Sequence, residues 1–342
     1  MENITRNQIE KLFEDFKGKQ VMILGDVMID AYLWGKVDRI SPEAPVPVVS
    51  VKKRDNLLGG AANVALNIKA LGAVPVLCSV VGADTKGEEF IGLLKNDGIT
   101  DVGIIHSPER ITTTKFRIIG NKAQMLRVDE EMDTDLSPAD EEKLLERLKS
   151  VFTDYSISVV ILQDYNKGVL TRRVIDEVLS MAAQLNIPVV VDPKKKNFEA
   201  YRNIDLFKPN LKELREGLKI DGELTEVEKI KQAVIEWQSM QSISSMMVTL
   251  SEAGVFIRDI REGEVLEYHI PAHLRNIADV SGAGDTVISV ASLCRALKIS
   301  PWLTAALSNL AGGLVCEYTG VVPVNRDRLL KEAIELIAGK QP

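Results

Sequence analysis

The sequence predicts a doubly wound α/β domain, in which helices cover both faces of a mainly parallel sheet and a second, small β-sheet lies beside it. From Ser137 onward, short apolar runs alternate with helical segments, which is typical of a parallel sheet buried on both faces. Before that point, two β-rich runs are separated only by a turn, and such a hairpin does not belong to the alternation. We therefore expect one domain over residues 1–342, with a small lid sheet formed by about residues 36–54 and 110–130.

The N-terminal part is predicted to begin with an amphipathic helix within residues 1–16. Buried strands are expected at residues 20–24, 75–81 and 101–106, and helices at residues 60–71 and 85–95. Residues 27–51 carry three prolines and then alternating valines, so we expect a turn that leads into an exposed strand. The hairpin is predicted at residues 112–119 and 124–129, around the turn Gly120-Asn121-Lys122.

In the C-terminal part, a helix is expected after Ser137, which can cap it, with Pro138 in its first turn. Strands are predicted at residues 158–162, 188–191, 205–208 and 246–250, followed by an antiparallel pair at 255–258 and 265–269. Helices are predicted at residues 287–297, 304–317 and 326–337. Ligands bind beyond the carboxyl ends of the strands in such sheets. Five polar residues that follow predicted strands should therefore meet in one cleft: Asp26, Asp164, Asp192, Asn210 and Ser251.

The composition excludes several classes of function. The formal net charge is −7, which argues against a nucleic-acid partner held by a basic surface. No apolar stretch approaches the ~18 residues of a membrane span, so no membrane partner is expected. The three cysteines, Cys78, Cys294 and Cys316, lie in apolar surroundings and are expected to be free thiols in a reducing compartment, so we expect a cytoplasmic protein.

The octapeptide DVSGAGDT at residues 279–286 is the most informative motif. Gly282, Ala283 and Gly284 allow a tight turn whose N–H groups face an anion at the start of a helix. A carboxylate placed among such groups is unfavourable unless it accepts a proton, so Asp285 is a candidate general base for a substrate hydroxyl. The alternative is that Asp285 only caps the helix.

This octapeptide resembles the C-terminal signature of the ribokinase/PfkB sugar-kinase family, and GGAANVA at residues 59–65 resembles its N-terminal signature. The resemblance covers nearly the whole chain and implies a ribokinase-like fold with a β-sheet lid. It also implies that the amides of residues 282–284 form an anion hole and that Asp285 deprotonates the acceptor. Val280, where the family usually has Thr, resembles the heptose-phosphate kinase branch, and a monovalent cation, K⁺, is implied near Asp279.

Residues 25–48 are similar to bacterial heptose 7-phosphate kinases over their whole length. The resemblance implies that Asp30 accepts hydrogen bonds from sugar hydroxyls, in a substrate site completed by Asp26, Gly59, Gly60, Asn63 and Asp164. A phosphorylated sugar also needs cations. The candidates in or beside the lid are Arg39, Lys115, Arg117, Arg127 and Lys167.

On the nucleotide side, Asn210-Leu211-Lys212-Glu213 resembles the N-x-x-E element of the family, in which Glu213 orders Mg²⁺ through water. The alternative is an ordinary helix start capped by Asn210. The loop with Thr249, Ser251 and Gly254 resembles the loop that holds the phosphates of ATP. Asn309 is a further candidate for ATP binding, and Lys194 is another cation to consider.

Together these features imply an ATP- and Mg²⁺-dependent kinase for the anomeric hydroxyl of heptose 7-phosphate, working as a homodimer paired through its lid sheets. The alternatives are another sugar kinase of the family, such as a ribokinase or phosphofructokinase type, and an inactive sugar-binding regulatory protein. The motif H-x-G-H of a nucleotidyltransferase does not occur in the sequence, so we expect the stand-alone kinase form.

Overall fold

The chain is built around a nine-stranded sheet, as shown by a computed structural model that describes residues 4–121, 123–220, 227–261 and 263–339. Its strands are β1 (Gln20–Gly25), β4 (Val74–Gly82), β5 (Gly103–Ser107), β8 (Ile157–Gln163), β9 (Val189–Asp192), β10 (Leu206–Phe207), β11 (Ser245–Thr249), β12 (Val255–Arg261) and β13 (Glu264–Ile270). Their order is β13-β12-β11-β10-β9-β8-β1-β4-β5. All neighbours pair in parallel except β11 with β12 and β12 with β13, which confirms the predicted late antiparallel pair.

Helices cover both faces of this sheet, as expected for a doubly wound domain. They are α1 (Arg6–Phe16), α2 (Ala61–Ala70), α3 (Thr85–Asn96), α4 (Pro138–Asp154), α5 (Arg172–Gln184), α6 (Leu211–Gly217), α7 (Val227–Gln241), α8 (Ala283–Ala296), α9 (Pro301–Val315) and α10 (Arg326–Leu336). The apolar side chains of β1 explain the two layers. Val21 and Ile23 pack into one cluster with α1, α2 and α8, and Met22 and Leu24 pack into the other with α4 and α5. Burying each such side chain contributes about 1.5–3 kcal/mol.

A second sheet of four strands stands apart from the first. Its strands are β2 (Val27–Ile40), β3 (Pro47–Gly60), β6 (Thr114–Gly120) and β7 (Ala123–Glu130), in the order β3-β2-β6-β7. The prediction of a turn for the first part of residues 27–51 is wrong, because β2 is one continuous strand from Val27 to Ile40. Pro42 and Pro45 lie in the connection to β3 and Pro47 at its first residue, where proline removes no hydrogen bond from a strand interior.

The hairpin of β6 and β7 forms as predicted, with antiparallel pairing from Thr114–Glu130 to Gly120–Ala123. Lys122 of the expected turn and residues 1–3 of the expected first helix lie outside the described residues. Within the described part of the chain, no helix is both long enough and apolar enough to cross a membrane.

Candidate active site

The first turn of α8 lies against the carboxyl ends of β8 and β9 and places Asp285 at the centre of a buried polar cluster. Gly282 precedes the helix with φ of +78°, and no side chain among the described residues caps this helix start. Asp285 is the third residue of α8 and its carboxylate is turned to other elements, so it is not the helix cap. The Ala283 N–H donates to the Val280 carbonyl at 3.3 Å, whereas no partner for the N–H groups of Gly282 and Gly284 is found among the described residues, so these two keep their capacity for an anion.

Three donors hold the carboxylate of Asp285. The Tyr165 hydroxyl donates to Oδ1 at 2.6 Å and Gln163 Nε2 donates to the same oxygen at 3.2 Å. Asn63 Nδ2 donates to Oδ2 at 2.7 Å. The residue is only 6% exposed. This burial raises the pKa of Asp285 to about 6. The hydrogen bonds from Tyr165 and Asn63 lower the pKa, and the negative charge of Asp192 raises it. A pKa in this range suits a base that works near neutral pH.

A buried cation, Lys208, lies beside the glycine turn. Its ammonium group contacts Asp192 at 3.0 Å, with side-chain exposures of 2% and 5%. Asp192 also accepts a hydrogen bond from Gln163 Nε2 at 3.3 Å. Two further buried oxygens here, Gln163 Oε1 and Asp192 Oδ1, have no hydrogen-bond partner in the described parts of the chain. The unpaired oxygens can accept hydrogen bonds from the water shell of Mg²⁺, and Lys208 and the open helix start can bind phosphates, so the site fits Mg·ATP.

The predicted nucleotide element Asn210–Glu213 forms the start of α6. Asn210 Oδ1 accepts from the Glu213 N–H at 2.8 Å, and Glu213 Oε2 accepts from the Asn210 N–H at 2.8 Å, so the capping alternative is realised. The other oxygen of Glu213 pairs with Lys194, which also lies over the Tyr165 ring. Both oxygens of Glu213 therefore have a partner among the described residues, and one of these partners is the cation Lys194. Leu211 packs against the core, and Lys212 is exposed and faces Glu216.

The other predicted ATP residues lie around the turn between β11 and β12. Thr249 forms an isolated bridge with Asn210, which joins the two nucleotide elements. Ser251 and Gly254 have φ of +54° and +92°, and a side chain at Gly254 would collide with the Ile270 carbonyl. Asn309 donates to the Pro271 carbonyl at 2.9 Å and so holds the segment that follows β13.

Asp30 is the centre of the predicted acceptor side. It lies on β2, is almost fully buried and accepts from Arg117 Nη1 at 2.5 Å. In the register of the second sheet, Asp30 is opposite Lys115, and Arg117 is opposite Arg127, so these side chains share one face. Lys167 approaches from the loop after β8 and pairs with Glu131 at 2.7 Å. Burial lowers the pKa of Lys115, the charges of Glu131 and Asp129 raise it, and the nearby Lys167 and Arg127 lower it. The cations on this face are candidates for binding an anion, and three of them also pair with carboxylates: Arg117, Arg127 and Lys167.

Two predicted substrate residues have other partners. Asp26 accepts hydrogen bonds from the backbone N–H groups of Tyr165, Lys167 and Val169 at 2.8, 3.1 and 3.0 Å. It therefore shapes the loop after β8 rather than offering free oxygens to a sugar. Asp164 accepts from the Tyr201 hydroxyl at 2.8 Å and from Asn197 Nδ2 at 3.0 Å, within a buried network away from Asp285.

Arg39 also lies outside the cluster. It is exposed near the far end of β2, nine residues beyond Asp30, which corresponds to about 25–30 Å along a strand. Within one chain its side chain does not reach the Asp30 site. Arg39 was expected in this substrate site because it lies in the lid region, but β2, with irregular pairing between Trp34 and Gly35 and between Val37 and Arg39, carries it beyond Asp30.

The glycines and Asn63 connect the two sides of the site. A side chain at Gly59 would collide with the Asp30 carboxylate, and Gly60, with φ of +61°, precedes α2. Asn63 in the first turn of α2 faces Asp285 across the two helices. Asp279 accepts from the N–H and hydroxyl of Ser281 at 2.9 and 2.8 Å and from the Gly320 N–H at 3.0 Å. These donors outweigh burial and hold the pKa of Asp279 below its usual value.

Sequence reasoning missed Gln163, Tyr165 and Lys208. Gln163 and Lys208 each directly follow the apolar residues of a buried strand, and this position was the available signal. A polar or charged side chain at the carboxyl end of a buried strand needs a partner or a function. Tyr165 carried no comparable signal, because only the shape of the loop after β8 brings its hydroxyl to Asp285.

Alanine substitutions at Gly282 and Gly284 are expected to differ in their effect on stability. Gly282→Ala is expected to lower the free energy of unfolding by about 1–2 kcal/mol, because its φ is positive and the new methyl group would lie 3.0 Å from Asn63 Nδ2. Gly284→Ala is the control, since its methyl group would meet only Lys208 Nζ at 3.7 Å and Asp192 Oδ2 at 3.9 Å. Thermal unfolding measures both. Equal destabilisation by the two variants would contradict the described turn.

Comparisons with known proteins show which family the chain is similar to. The family model described as pfkB family carbohydrate kinase matches residues 19–327. The bifunctional protein HldE of Geotalea uraniireducens is 36% identical over 333 residues, covering 96% of this chain and 65% of the relative. HldE of Caulobacter vibrioides is 40% identical over 305 residues, covering 89% of this chain and 61% of the relative. The chain thus spans less than two thirds of the length of these relatives.

Solved structures show the same fold. Phosphofructokinase-2 from Escherichia coli in complex with potassium superposes with a TM-score of 0.75 at 17% identity, covering 94% of this chain and 99% of that chain. Ribokinase from Arabidopsis thaliana complexed with ribose and ATP gives a TM-score of 0.68 at 18% identity, covering 92% and 99%. The expected ribokinase-like fold is confirmed.

Proposed function

Because the chain belongs to the pfkB family of carbohydrate kinases and is an ATP-dependent sugar kinase, we propose that its acceptor is D-glycero-D-manno-heptose 7-phosphate. The product would be the 1,7-bisphosphate, formed at the anomeric hydroxyl on the route to ADP-heptose and the lipopolysaccharide core. One observation supports the proposal: a buried carboxylate, Asp285, lies at an open helix start, and Asn63 and Gly59 link it to a sheet face that bears Asp30 and several cations.

In the proposed reaction, Asp285 accepts the proton of the acceptor hydroxyl, and the N–H groups of Gly282, Ala283 and Gly284 stabilise the charge of the transferring phosphoryl group. Lys208 and Lys194 add positive charge beside this turn. Mg²⁺, ordered through water by Glu213, would neutralise charge on the phosphates. Asn210, Thr249, Ser251, Gly254 and Asn309 lie in or hold the segments that would enclose the nucleotide.

Asp30 and Asn63 would orient the sugar, and Lys115, Arg117, Arg127 and Lys167 would provide the cations for its 7-phosphate. Arg117 already neutralises Asp30, so its guanidinium can contact a phosphate only with the donors that Asp30 leaves free. An anion would act together with Glu131 and Asp129 to offset the mutual repulsion of Lys115 and Lys167, so these two lysines are the stronger candidates. A plain sugar kinase has no need for this cluster.

ADP release from Mg·ATP with a panel of acceptors tests the proposal. The panel contains heptose 7-phosphate, fructose 6-phosphate, ribose and adenosine. We expect heptose 7-phosphate to give the highest kcat/KM. A preference for ribose would contradict the role of the cations while keeping Asp285 as the base. A lack of turnover with every acceptor would favour an inactive sugar-binding protein.

We further propose that the second sheet acts as a lid and pairs with the lid of a second copy. Its strands leave large apolar side chains in solvent, including Ile40 at 62% and Leu126 at 55% exposure. Burial of such residues between two copies would cover exposed strand edges and apolar surface together. For K⁺, the proposed position is beside Asp279.

A further inference from the structure

Tyr165 makes the shortest contact to Asp285, and neither sequence signature includes it. Its hydroxyl lies 2.6 Å from Asp285 Oδ1, and its ring lies under the ammonium group of Lys194 at 5.5 Å. We propose that Tyr165 is a positioning residue for phosphoryl transfer: its hydroxyl fixes the Asp285 carboxylate in the orientation that takes the acceptor proton and favours its ionised form. The inference rests on the proposed role of Asp285 as the base.

The distribution of donors over the two carboxylate oxygens supports this role. Oδ1 accepts from both Tyr165 and Gln163, whereas Oδ2 accepts only from Asn63 among the described residues. Each carboxylate oxygen can accept about two hydrogen bonds. The remaining capacity is therefore on Oδ2, and Tyr165 and Gln163 prevent the carboxylate from rotating to exchange its oxygens. The acceptor hydroxyl is expected to meet Oδ2.

The loop that carries Tyr165 is held in place by Asp26. Asp26, which is 1% exposed, accepts the backbone N–H groups of Tyr165, Lys167 and Val169 and thereby sets the shape of the loop. Burial and the charge of Asp285 raise the pKa of Tyr165 well above its usual value, so its hydroxyl remains protonated and acts as a donor. The donor is thus rigid and permanent.

The charged groups around Asp285 come from several elements. Asp192 at the end of β9 opposes its ionisation, Lys208 after β10 favours it, and Lys194 also attracts the carboxylate. Burial is the largest contribution and favours the protonated acid. Removal of the Tyr165 hydroxyl leaves this burial with less compensation, so the pKa of Asp285 should rise above about 6.

The test is the pH dependence of kcat/KM for Tyr165→Phe, measured with Mg·ATP and the best acceptor of the panel. The ionised base is the active form, so activity falls as pH decreases through the pKa of Asp285. We expect the acid limb near pH 6 to move upward by about one unit, since a hydrogen bond to a charged group is strong enough for such a shift. The activity loss should therefore be about fivefold greater at pH 6 than at pH 8.

Tyr201→Phe is the matched control. It removes another buried tyrosine hydroxyl that donates to a carboxylate, that of Asp164, but it does not contact Asp285. Its acid limb should coincide with that of the unsubstituted chain. An unshifted limb in Tyr165→Phe, or an equal shift in both variants, would overturn the inference.

Two further measurements make the result decisive. Placing 3-fluorotyrosine at position 165 keeps the ring and hydroxyl but makes the phenol a stronger donor, so the acid limb should move downward even if Tyr165→Phe folds poorly. An unmoved or raised limb would count against Tyr165. Asp285→Asn separates the two proposals. Full activity of that variant would show that Asp285 is not the base. An inactive Asp285→Asn together with an unshifted acid limb in Tyr165→Phe would contradict only the proposed role of Tyr165.

Discussion

Asp285→Asn is expected to reduce kcat by about 10²–10⁴-fold, the usual contribution of a general base. The amide cannot take the proton of the acceptor hydroxyl, although it fills the same space between Tyr165 and Asn63. ATP binding should persist, because the turn at residues 282–284 and the cations Lys194 and Lys208 are unchanged. Initial rates of ADP release and a nucleotide-binding titration measure the two properties separately.

Asp140→Asn is the control for this experiment. Asp140 is an equally buried carboxylate, but it lies in the first turn of α4 and accepts a hydrogen bond from the Ser107 hydroxyl at 2.5 Å. Any cost of replacing a buried carboxylate by an amide should appear in its unfolding curve without a comparable loss of kcat. Turnover by Asp285→Asn close to that of Asp140→Asn would disprove the assignment of the base.

Replacement of the cations on the acceptor side should have the second largest effect. Lys115→Met and Lys167→Met are each expected to lower kcat/KM for heptose 7-phosphate by about 10- to 100-fold, since a charge-assisted hydrogen bond contributes about 1.5–3 kcal/mol. The effect should vanish with the same heptose lacking its 7-phosphate. The ratio of the two kcat/KM values is therefore the quantity to measure.

Lys36→Met serves as the control, because Lys36 lies on β2 of the same sheet but is exposed and pairs with Asp38 at 2.8 Å. It should leave the ratio of the two acceptors unchanged. Equal losses with phosphorylated and unphosphorylated heptose in the Lys115 and Lys167 variants would mean that these residues support the sheet and do not bind the phosphate.

The sequence was sufficient to predict the fold class, since the strands are apolar runs of the right length and the helices have clear starts at residues such as Ser137. It was not sufficient to assign Asp164. Gln163 and Asp164 are consecutive at the end of β8, so their side chains point in opposite directions, and only Gln163 faces Asp285. The sequence pattern predicts that two polar residues, Gln163 and Asp164, end the strand, but it does not predict which of them faces Asp285.

The same limit applies to Arg39, which was expected at the substrate site because it lies in the lid region. Its separation from Asp30 follows from the path of β2, which the sequence pattern did not predict. The contacts of Tyr165 and Lys208 could be found only in the three-dimensional structure. Tyr165 contacts Asp285, which is 120 residues away in sequence, and Lys208 contacts Asp192 at the end of a neighbouring strand.

Asp26 alone separates β1 from β2, so the backbone passes from the large sheet to the second sheet within one residue. At this connection, a change in the angle between the two sheets is absorbed by the dihedral angles at this residue. The carboxylate of the same residue accepts hydrogen bonds from the three backbone N–H groups that determine the shape of the loop containing Tyr165. We therefore propose that Asp26 is both a hinge of the proposed lid and a support of the proposed base, so that movement of the lid is coupled to the position of Tyr165.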